Sequence, residues 1–220
     1  MAQGATRVTV LGLGQMGLCC AGLLAGMDRP GAARASVRVW GHDEGEVGRI
    51  AQTRRSERLP GFVLPEGVRV ALSDAEALEG AEVVVSAVPV QFARGAWERV
   101  RRWVPSGADV VSVAKGIESR TLLRPTEVIA SVLGSGAGRG YAALSGPTIA
   151  TELAKGLPST MVAASEDEGF ARRVQGMFST SSLRVYSNTD LVGVELAGAT
   201  KNVIAIAAGV LDGLSAGFNA

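Results

Sequence analysis

"VTVLGLGQMGLCCAGLLAG", residues 8–26, opens as a β-branched run, turns through Gly12-Leu13-Gly14-Gln15-Met16-Gly17, and continues as an apolar helical pattern. A G-x-G-x-x-G is a weak signal alone, because glycine turns between a strand and a helix often serve only packing. Here it follows the first strand directly and opens a helix ahead of a second strand, which strengthens it. Gly12 permits the tight turn, Gly14 lets the backbone approach a pyrophosphate, and Gly17 allows close helix–strand packing. The helix N-terminus adds free amides and a positive dipole end. The stretch predicts a dinucleotide site, with a purely structural turn as the alternative.

Outward from this turn, short β-branched runs alternate with helical ones. Strands are predicted at 7–12, 36–41, 68–72, 82–88, 109–115, 141–145, 159–165 and 183–187, with helical patterns between most of them, as at 16–27, 91–103 and 167–179. Several strands are apolar at consecutive positions, as expected where both faces are covered. The alternation implies an α/β fold with a doubly wound, Rossmann-like, mostly parallel sheet. The polar stretch "QTRRSERLPGFVLPEG" (52–67) reads as a basic loop. From Asp190 on, "DLVGVELAGATKNVIAIAAGVLDGL" fits one long helix with Asn188 or Thr189 as its N-cap. That helix is apolar nearly all round and should be buried by partner helices, without which it exposes a large apolar patch. It predicts a nucleotide domain over residues 1–188 and the start of an incomplete helical domain over 189–220.

Bulk properties exclude several classes. The chain has 220 residues, is 47% hydrophobic and 20% charged, and carries a formal net charge of +1. Such a chain is globular, and its charge gives no electrostatic case for nucleic acid or an anionic membrane as partner. Cys19 and Cys20 are adjacent in an apolar helical stretch and read as small buried hydrophobes. One histidine and two cysteines leave no metal-ligand cluster. No signal-peptide pattern opens the sequence, and the longest apolar run, Val203 to Leu211, is short for a bilayer. A cytoplasmic location is expected.

NAD-selective sites usually place Asp or Glu at the end of the second strand to hold the ribose 2′-hydroxyl. This strand ends "VWGHD", putting Trp40, Gly41 and His42 there, with Asp43 late. A histidine does not repel a 2′-phosphate, so NADP(H) is favoured over NAD(H). His42 as a plain exposed loop residue is the alternative.

Chemistry is expected around two lysines and one turn. Lys115 stands at the C-terminal edge of its strand, where ligands of a parallel sheet bind. Lys201 has Gly198, Ala205 and Ala208 as helical neighbours and projects from a small-residue face. A lysine in low-dielectric surroundings exchanges its proton near neutral pH; snorkelling to solvent is the bland reading. Asn202 faces a different side, fit for packing or a hydrogen bond to ligand. "LSGPTIATELAKGLPST" (144–160) runs a strand into a small-residue turn, then a helix closed by Gly156 and Pro158.

These blocks together resemble the bacterial-type NAD(P)-dependent glycerol-3-phosphate dehydrogenases. The resemblance covers nearly the whole chain, through "VLGLGQMG", "VWGHD", "RLPGFVLPEGVRV", "SAVPVQ", "SVAKGIE", "LSGPTIATELAKGLPST", "RVYSNTDLVGVELAGATKNVIAIAAGVLDGL" and the terminal "FNA". It implies that Lys201 donates and accepts the proton and that Lys115 contacts both substrate and cofactor. Gly146 and Thr148 would line the site for glycerol 3-phosphate or dihydroxyacetone phosphate, with Asn202 nearby. Gln15, Met16, His42, Lys115 and Ala150 would touch the nucleotide. The implied reaction passes hydride between nicotinamide C4 and C2 of the triose, needs no metal, and supplies glycerol 3-phosphate for phospholipid synthesis.

Two departures stand out. Gln15-Met16 replaces the family's more usual Ser-Trp. The family also continues past "FNA" with helices that supply an aspartate and an Arg-Asn pair, so the chain is expected to be inactive alone and to dimerise or aggregate through its last helix. Rival readings are another two-domain reductase of the ketopantoate reductase or 6-phosphogluconate dehydrogenase type, and a non-catalytic NAD(P)-binding module.

Overall fold

The computed structural model describes residues 5–27, 35–134, 138–215 and 217; the terminal "FNA" block lies outside them. Strands β1 (Thr6–Leu11), β2 (Ala35–Trp40), β3 (Val68–Val70), β4 (Val83–Ser86), β5 (Asp109–Ser112), β6 (Tyr141–Ser145), β7 (Ser159–Ala164) and β8 (Leu183–Asn188) form one sheet. Its order is β3-β2-β1-β4-β5-β6-β7-β8. All neighbours are parallel except β6 and β7. Each predicted strand is present, within a few residues at its ends.

The helices are α1 (Gln15–Leu24), α2 (Glu44–Thr53), α3 (Asp74–Leu78), α4 (Val90–Val100), α5 (Pro125–Leu133), α6 (Ala150–Leu153), α7 (Glu168–Phe178) and α8 (Leu191–Gly213). Their starts follow local chemistry. Asp43, Ser73 and Asp167 each accept a hydrogen bond from a first-turn amide, satisfying a donor the helix cannot pair itself. Of the stretch 52–67 predicted as a loop, Gln52 and Thr53 close α2, and the loop runs over 54–67, entered where Arg54 takes a left-handed conformation.

The consecutive apolar residues of the central strands feed two cores. Val83 and Val85 of β4 point with Val8, Val10, Val37 and Val39 to the side covered by α1 and α7. Val84 and Leu11 point to the opposite side, against Ala93 and Trp97 of α4 and Ile129 of α5. Cys19 and Cys20 are free and buried, and burial pushes the Cys19 thiol up to about 12, as for packing residues.

The reversal at β7 sets the course of α8. Ser145 lies opposite Val162 and Ala143 opposite Ala164. In β8, Asn188 lies beside Ala164. The chain therefore leaves the sheet towards the N-terminal ends of the parallel strands, and α8 climbs back across β6. Leu191 packs on Ala143 and Ala164 at the bottom, and Gly198 passes Ser145 at the top.

One expectation for α8 is corrected. Its N-cap is Asp190, not Asn188 or Thr189. The Asp190 carboxylate accepts from Gly193 N at 2.7 Å, while Asn188 Oδ1 accepts from Asp190 N at 2.8 Å one step earlier. Without partner helices the apolar helix lies open, as expected: Leu191 and Glu195 are its only buried side chains, and Val203, Ile204, Ile206 and Val210 face outward. The sheet covers only its first two turns. At 23 residues with mean hydropathy 1.4, α8 has the length and composition to cross a membrane, which the uninterrupted run at 203–211 alone does not.

Candidate active site

The C-terminal ends of β1, β4, β5 and β6 converge on one edge of the sheet, and most of the predicted residues gather there. Gly12 takes φ +116°, and a Cβ on it would stand 2.7 Å from the Ala87 carbonyl oxygen. A Cβ on Gly17 would overlap the Gly12 carbonyl oxygen. Gly12 is demanded by the close pass of Ala87, just after β4, and Gly17 by the turn's own fold onto Gly12. Gly14 is different: its backbone is ordinary, at φ −68° and ψ 172°, and a Cβ there would meet nothing within 4 Å. The folded chain gives no reason for a glycine at that position. The space is one a Cβ would fill and a pyrophosphate could use, at the start of α1. The turn therefore fits a dinucleotide.

Gln15 is exposed, and its Nε2 donates to the Arg58 carbonyl at 2.7 Å, tying α1 to the loop after α2. Met16 packs, partly buried, against the core edge. The Gln15 tether is a role the sequence did not disclose. His42 is exposed, and its carbonyl accepts from Arg99 Nη1 at 3.3 Å. The Asp43 side chain is committed to capping α2, and the Glu46 amide it accepts from lowers its pKa. Asp43, the first carboxylate after β2 among the described residues, is thus turned towards the start of α2. Beside α2 is a cavity of about 520 Å³ whose lining includes Arg49, Arg55 and Arg58 but also Asp43, Glu46 and Glu57. Arg58 is paired with Glu46 at 2.6 Å. The charges balance, so this cavity adds no net attraction for a phosphate.

Lys115 lies three residues beyond the end of β5 rather than in it. Its Nζ donates to the Gly146 carbonyl at 3.0 Å, joining the β5 and β6 loops. Burial first, and then the Lys201 ammonium, lower its pKa. Gly146 itself is pressed on β7, where a Cβ would lie 2.9 Å from Met161 Cα. Two residues on, Thr148 is buried, and its Oγ1 is the buried side-chain polar atom without a hydrogen-bond partner among the described residues. An orphaned hydroxyl is costly unless something else bonds to it. Ala150 opens α6, is buried, and accepts from Cys19 Sγ at 3.0 Å. The helix after this turn is a single turn long, shorter than its sequence pattern suggests.

Over these residues runs α8. A Cβ on Gly198 would lie 2.9 Å from Ser145 Oγ and 3.6 Å from Lys115 Cγ, so the helix approaches the lysine closely at that point. Lys201 follows one turn later, near enough to act on Lys115 electrostatically. Lys201 and Asn202 are exposed. The low-dielectric surroundings expected for Lys201 are not supplied by the described residues, because α8 has left the sheet by then. The sequence also did not reveal Glu195, one of α8's two buried side chains. It accepts from Thr126 N at 2.9 Å and Thr126 Oγ1 at 2.7 Å, and pairs with Arg124.

A G-x-G-x-x-G turn opening α1 on a 3-2-1-4-5-6 sheet, with two lysines at its C-terminal edge, defines a dinucleotide-binding protein of the Rossmann class. The family model described as NAD-dependent glycerol-3-phosphate dehydrogenase N-terminus matches residues 7–171, and the corresponding C-terminus model matches 190–220. The chain belongs to the NAD-dependent glycerol-3-phosphate dehydrogenase family. It is 42% identical over 216 residues to glycerol-3-phosphate dehydrogenase (NAD(P)+) 2 of Lactobacillus delbrueckii subsp. bulgaricus, covering 97% of this chain and 62% of the relative. It is 44% identical over 215 residues to the Anaeromyxobacter dehalogenans enzyme of that name, covering 97% and 63%. The crystal structure of glycerol-3-phosphate dehydrogenase from Coxiella burnetii superposes with a TM-score of 0.83 at 30% identity, over 98% of this chain and 63% of that one. The chain thus spans less than two thirds of the relatives it matches.

Proposed function

We propose that the protein binds NADP(H), or NAD(H), at the Gly12–Gly17 turn and interconverts dihydroxyacetone phosphate and glycerol 3-phosphate. The observation that carries this reading is the group at the sheet edge: Lys115 bonded to Gly146, the orphaned Thr148 hydroxyl two residues on, and α8 crossing above with Lys201. Gly14 leaves room for the pyrophosphate, while Gln15, Met16, His42 and Ala150 border the nucleotide. Bound there, the nicotinamide supplies or accepts the hydride. Lys115 and Thr148 would hold the triose, Lys201 would take or give the proton at the C2 oxygen, and the two ammonium groups would stabilise charge developing on that oxygen. Asn202 would contact ligand from α8. Residues 1–188 act as the nucleotide domain and 189–220 as the start of a helical one, in a cytoplasmic enzyme that supplies glycerol 3-phosphate to phospholipid synthesis.

The exposure of Lys201 and Asn202 favours a second reading, in which these 220 residues bind nucleotide without turnover. The bare side of α8 further supports self-association of the chain. Fluorescence titration with NADPH, followed by NADPH oxidation with dihydroxyacetone phosphate, separates the readings. Binding with turnover supports the enzyme and binding alone the module, whereas absence of binding overturns both.

A further inference from the structure

A carboxylate is rarely buried without strong compensation, and Glu195 is buried on a helix otherwise almost bare. Its side chain is 1% exposed. Both oxygens are used: one accepts the Thr126 amide, the other the Thr126 hydroxyl and the Arg124 guanidinium. Thr126 lies in the first turn of α5, where the amides have no partners inside their own helix. Glu195 therefore caps α5 from outside, with the carboxylate at the positive end of that helix. Arg124 is itself shared with Glu127 at 2.9 Å. A leucine would bury the same area on the sheet more cheaply, but it would leave α8 free to roll or tilt. Hydrogen bonds fix a direction as apolar contact does not.

The geometry of α8 makes that direction matter. Below Glu195 the helix is held by Leu191 on Ala143 and Ala164. Above it, the helix touches the sheet edge at Gly198 and is exposed from Thr200 to Leu214. Lys201 lies roughly 9 Å beyond Glu195 along the axis, at about 1.5 Å per residue. A tilt of about 10° at the anchor would carry it some ~1.5 Å sideways, enough to spoil a reacting geometry about a hundredfold.

We propose that Glu195 is a positioning residue: its bonds to Thr126 of α5 and to Arg124, the N-cap before it, set the angle at which α8 crosses the sheet, and thereby hold Lys201 against Lys115. This deepens the reading of the lysine pair given above and rests on it for its catalytic meaning. The juxtaposition itself can be tested without substrate or nucleotide.

The chain has three lysines, at 115, 155 and 201, so competitive acetylation followed by peptide mass spectrometry reports the titration of each. Lys115 faces Lys201 on α8 and the Gly146 carbonyl on the β6 loop, and Lys201 is the charged group that acts on it. In Glu195→Ala the Lys115 midpoint should rise, as it should in Lys201→Met. In the double variant it should rise no further than in Lys201→Met alone. Thr126→Val, which keeps the ion pair and removes one hydrogen bond, should give a smaller rise and guards against loss of folding in the alanine variant. Circular dichroism of each variant confirms an intact sheet. A Lys115 midpoint unmoved by Glu195→Ala and Thr126→Val, while Lys201→Met raises it, overturns the proposal. So does an effect of Glu195→Ala that persists undiminished in the Lys201→Met background. If NADPH failed to bind while these shifts appeared, the functional reading would fall and the anchor would stand.

Discussion

A side chain at Gly17 would collide with the carbonyl oxygen of Gly12, yet one at Gly14, midway between them, would meet open space. The three glycines of one motif thus answer to different demands, and substitution should separate them. Gly17→Ala should lower stability by about 3 kcal/mol or more, the range for overpacking against backbone. Gly14→Ala should fold within about 1 kcal/mol of the parent, the usual cost of losing a glycine N-cap. It should nevertheless weaken NADPH binding at least about tenfold, or ~1.4 kcal/mol. Urea denaturation and fluorescence titration of the two variants check both halves. Unchanged affinity in a folded Gly14→Ala would remove the pyrophosphate from this turn.

Cofactor preference should follow the end of β2. With Asp43 engaged as the α2 cap and His42 exposed, NADPH should bind at least as tightly as NADH. His42→Asp should shift the ratio towards NADH by roughly tenfold, through repulsion of the 2′-phosphate. Parallel titrations at matched ionic strength decide it, and a parent protein preferring NADH would contradict the assignment.

Lys115 should leave a signature in the pH dependence of stability. Burial, and then Lys201, hold its folded-state pKa below the ordinary 10.5. Between those two values the unfolded chain binds more protons than the folded one, so stability rises with pH through that window. Below the window Lys115 is charged in both states and its cost is constant. Lys115→Met should lack this rise, so the stability difference, parent minus variant, should climb as pH approaches 10.5. A flat difference from denaturation midpoints would mean that Lys115 is fully solvated.

Lys201→Met should reduce turnover by about two to four powers of ten in any form of the protein that carries activity. Nucleotide affinity should hardly change, because the glycine turn follows β1, which β4 and β5 separate from the β6 that α8 crosses. Stopped-flow NADPH oxidation beside equilibrium titration makes the comparison. Near-normal turnover would make Lys201 a structural residue.

The bare side of α8 should drive association. Val203, Ile204, Ile206 and Val210 of α8 and its C-cap Leu214 are 54–72% exposed. Contiguous apolar surface of this kind marks an interaction face or an aggregation liability. Ile206→Lys should weaken self-association about tenfold or more, given ~1.5–3 kcal/mol for burying one such side chain. Light scattering over a dilution series measures this, and a monodisperse monomer of the parent at high concentration would refute it.

What could be read from the residues was largely local. β-branched runs marked the strands, and glycine spacing located the nucleotide turn. The resemblance singled out Lys115 and Lys201, and the approach of α8 to Lys115 at Gly198 brings the two near each other. Errors arose where neighbours compete or partners are remote. Asn188, Thr189 and Asp190 are all capable caps, and only the bond from Gly193 N selects Asp190. The exposure of α8 was legible, because an apolar helix cannot bury itself, and β6 and β7 meet only its beginning. Glu195 stayed hidden because its partners lie 69 and 71 positions earlier, and nothing in "GVELAG" points to an arginine and a threonine on another helix.

The reversal between β6 and β7 has a consequence for how the site comes and goes. Because β8 finishes at the far end of the sheet, the helix carrying Lys201 is delivered by the edge strand, held in the sheet by β7 alone. Edge elements with few buried contacts open more readily than a core. The strands around the glycine turn are central and buried on both faces. Fraying at one border of the sheet would therefore withdraw Lys201 while the strands around the glycine turn stayed folded, so that the two ends of this sheet edge can be lost separately.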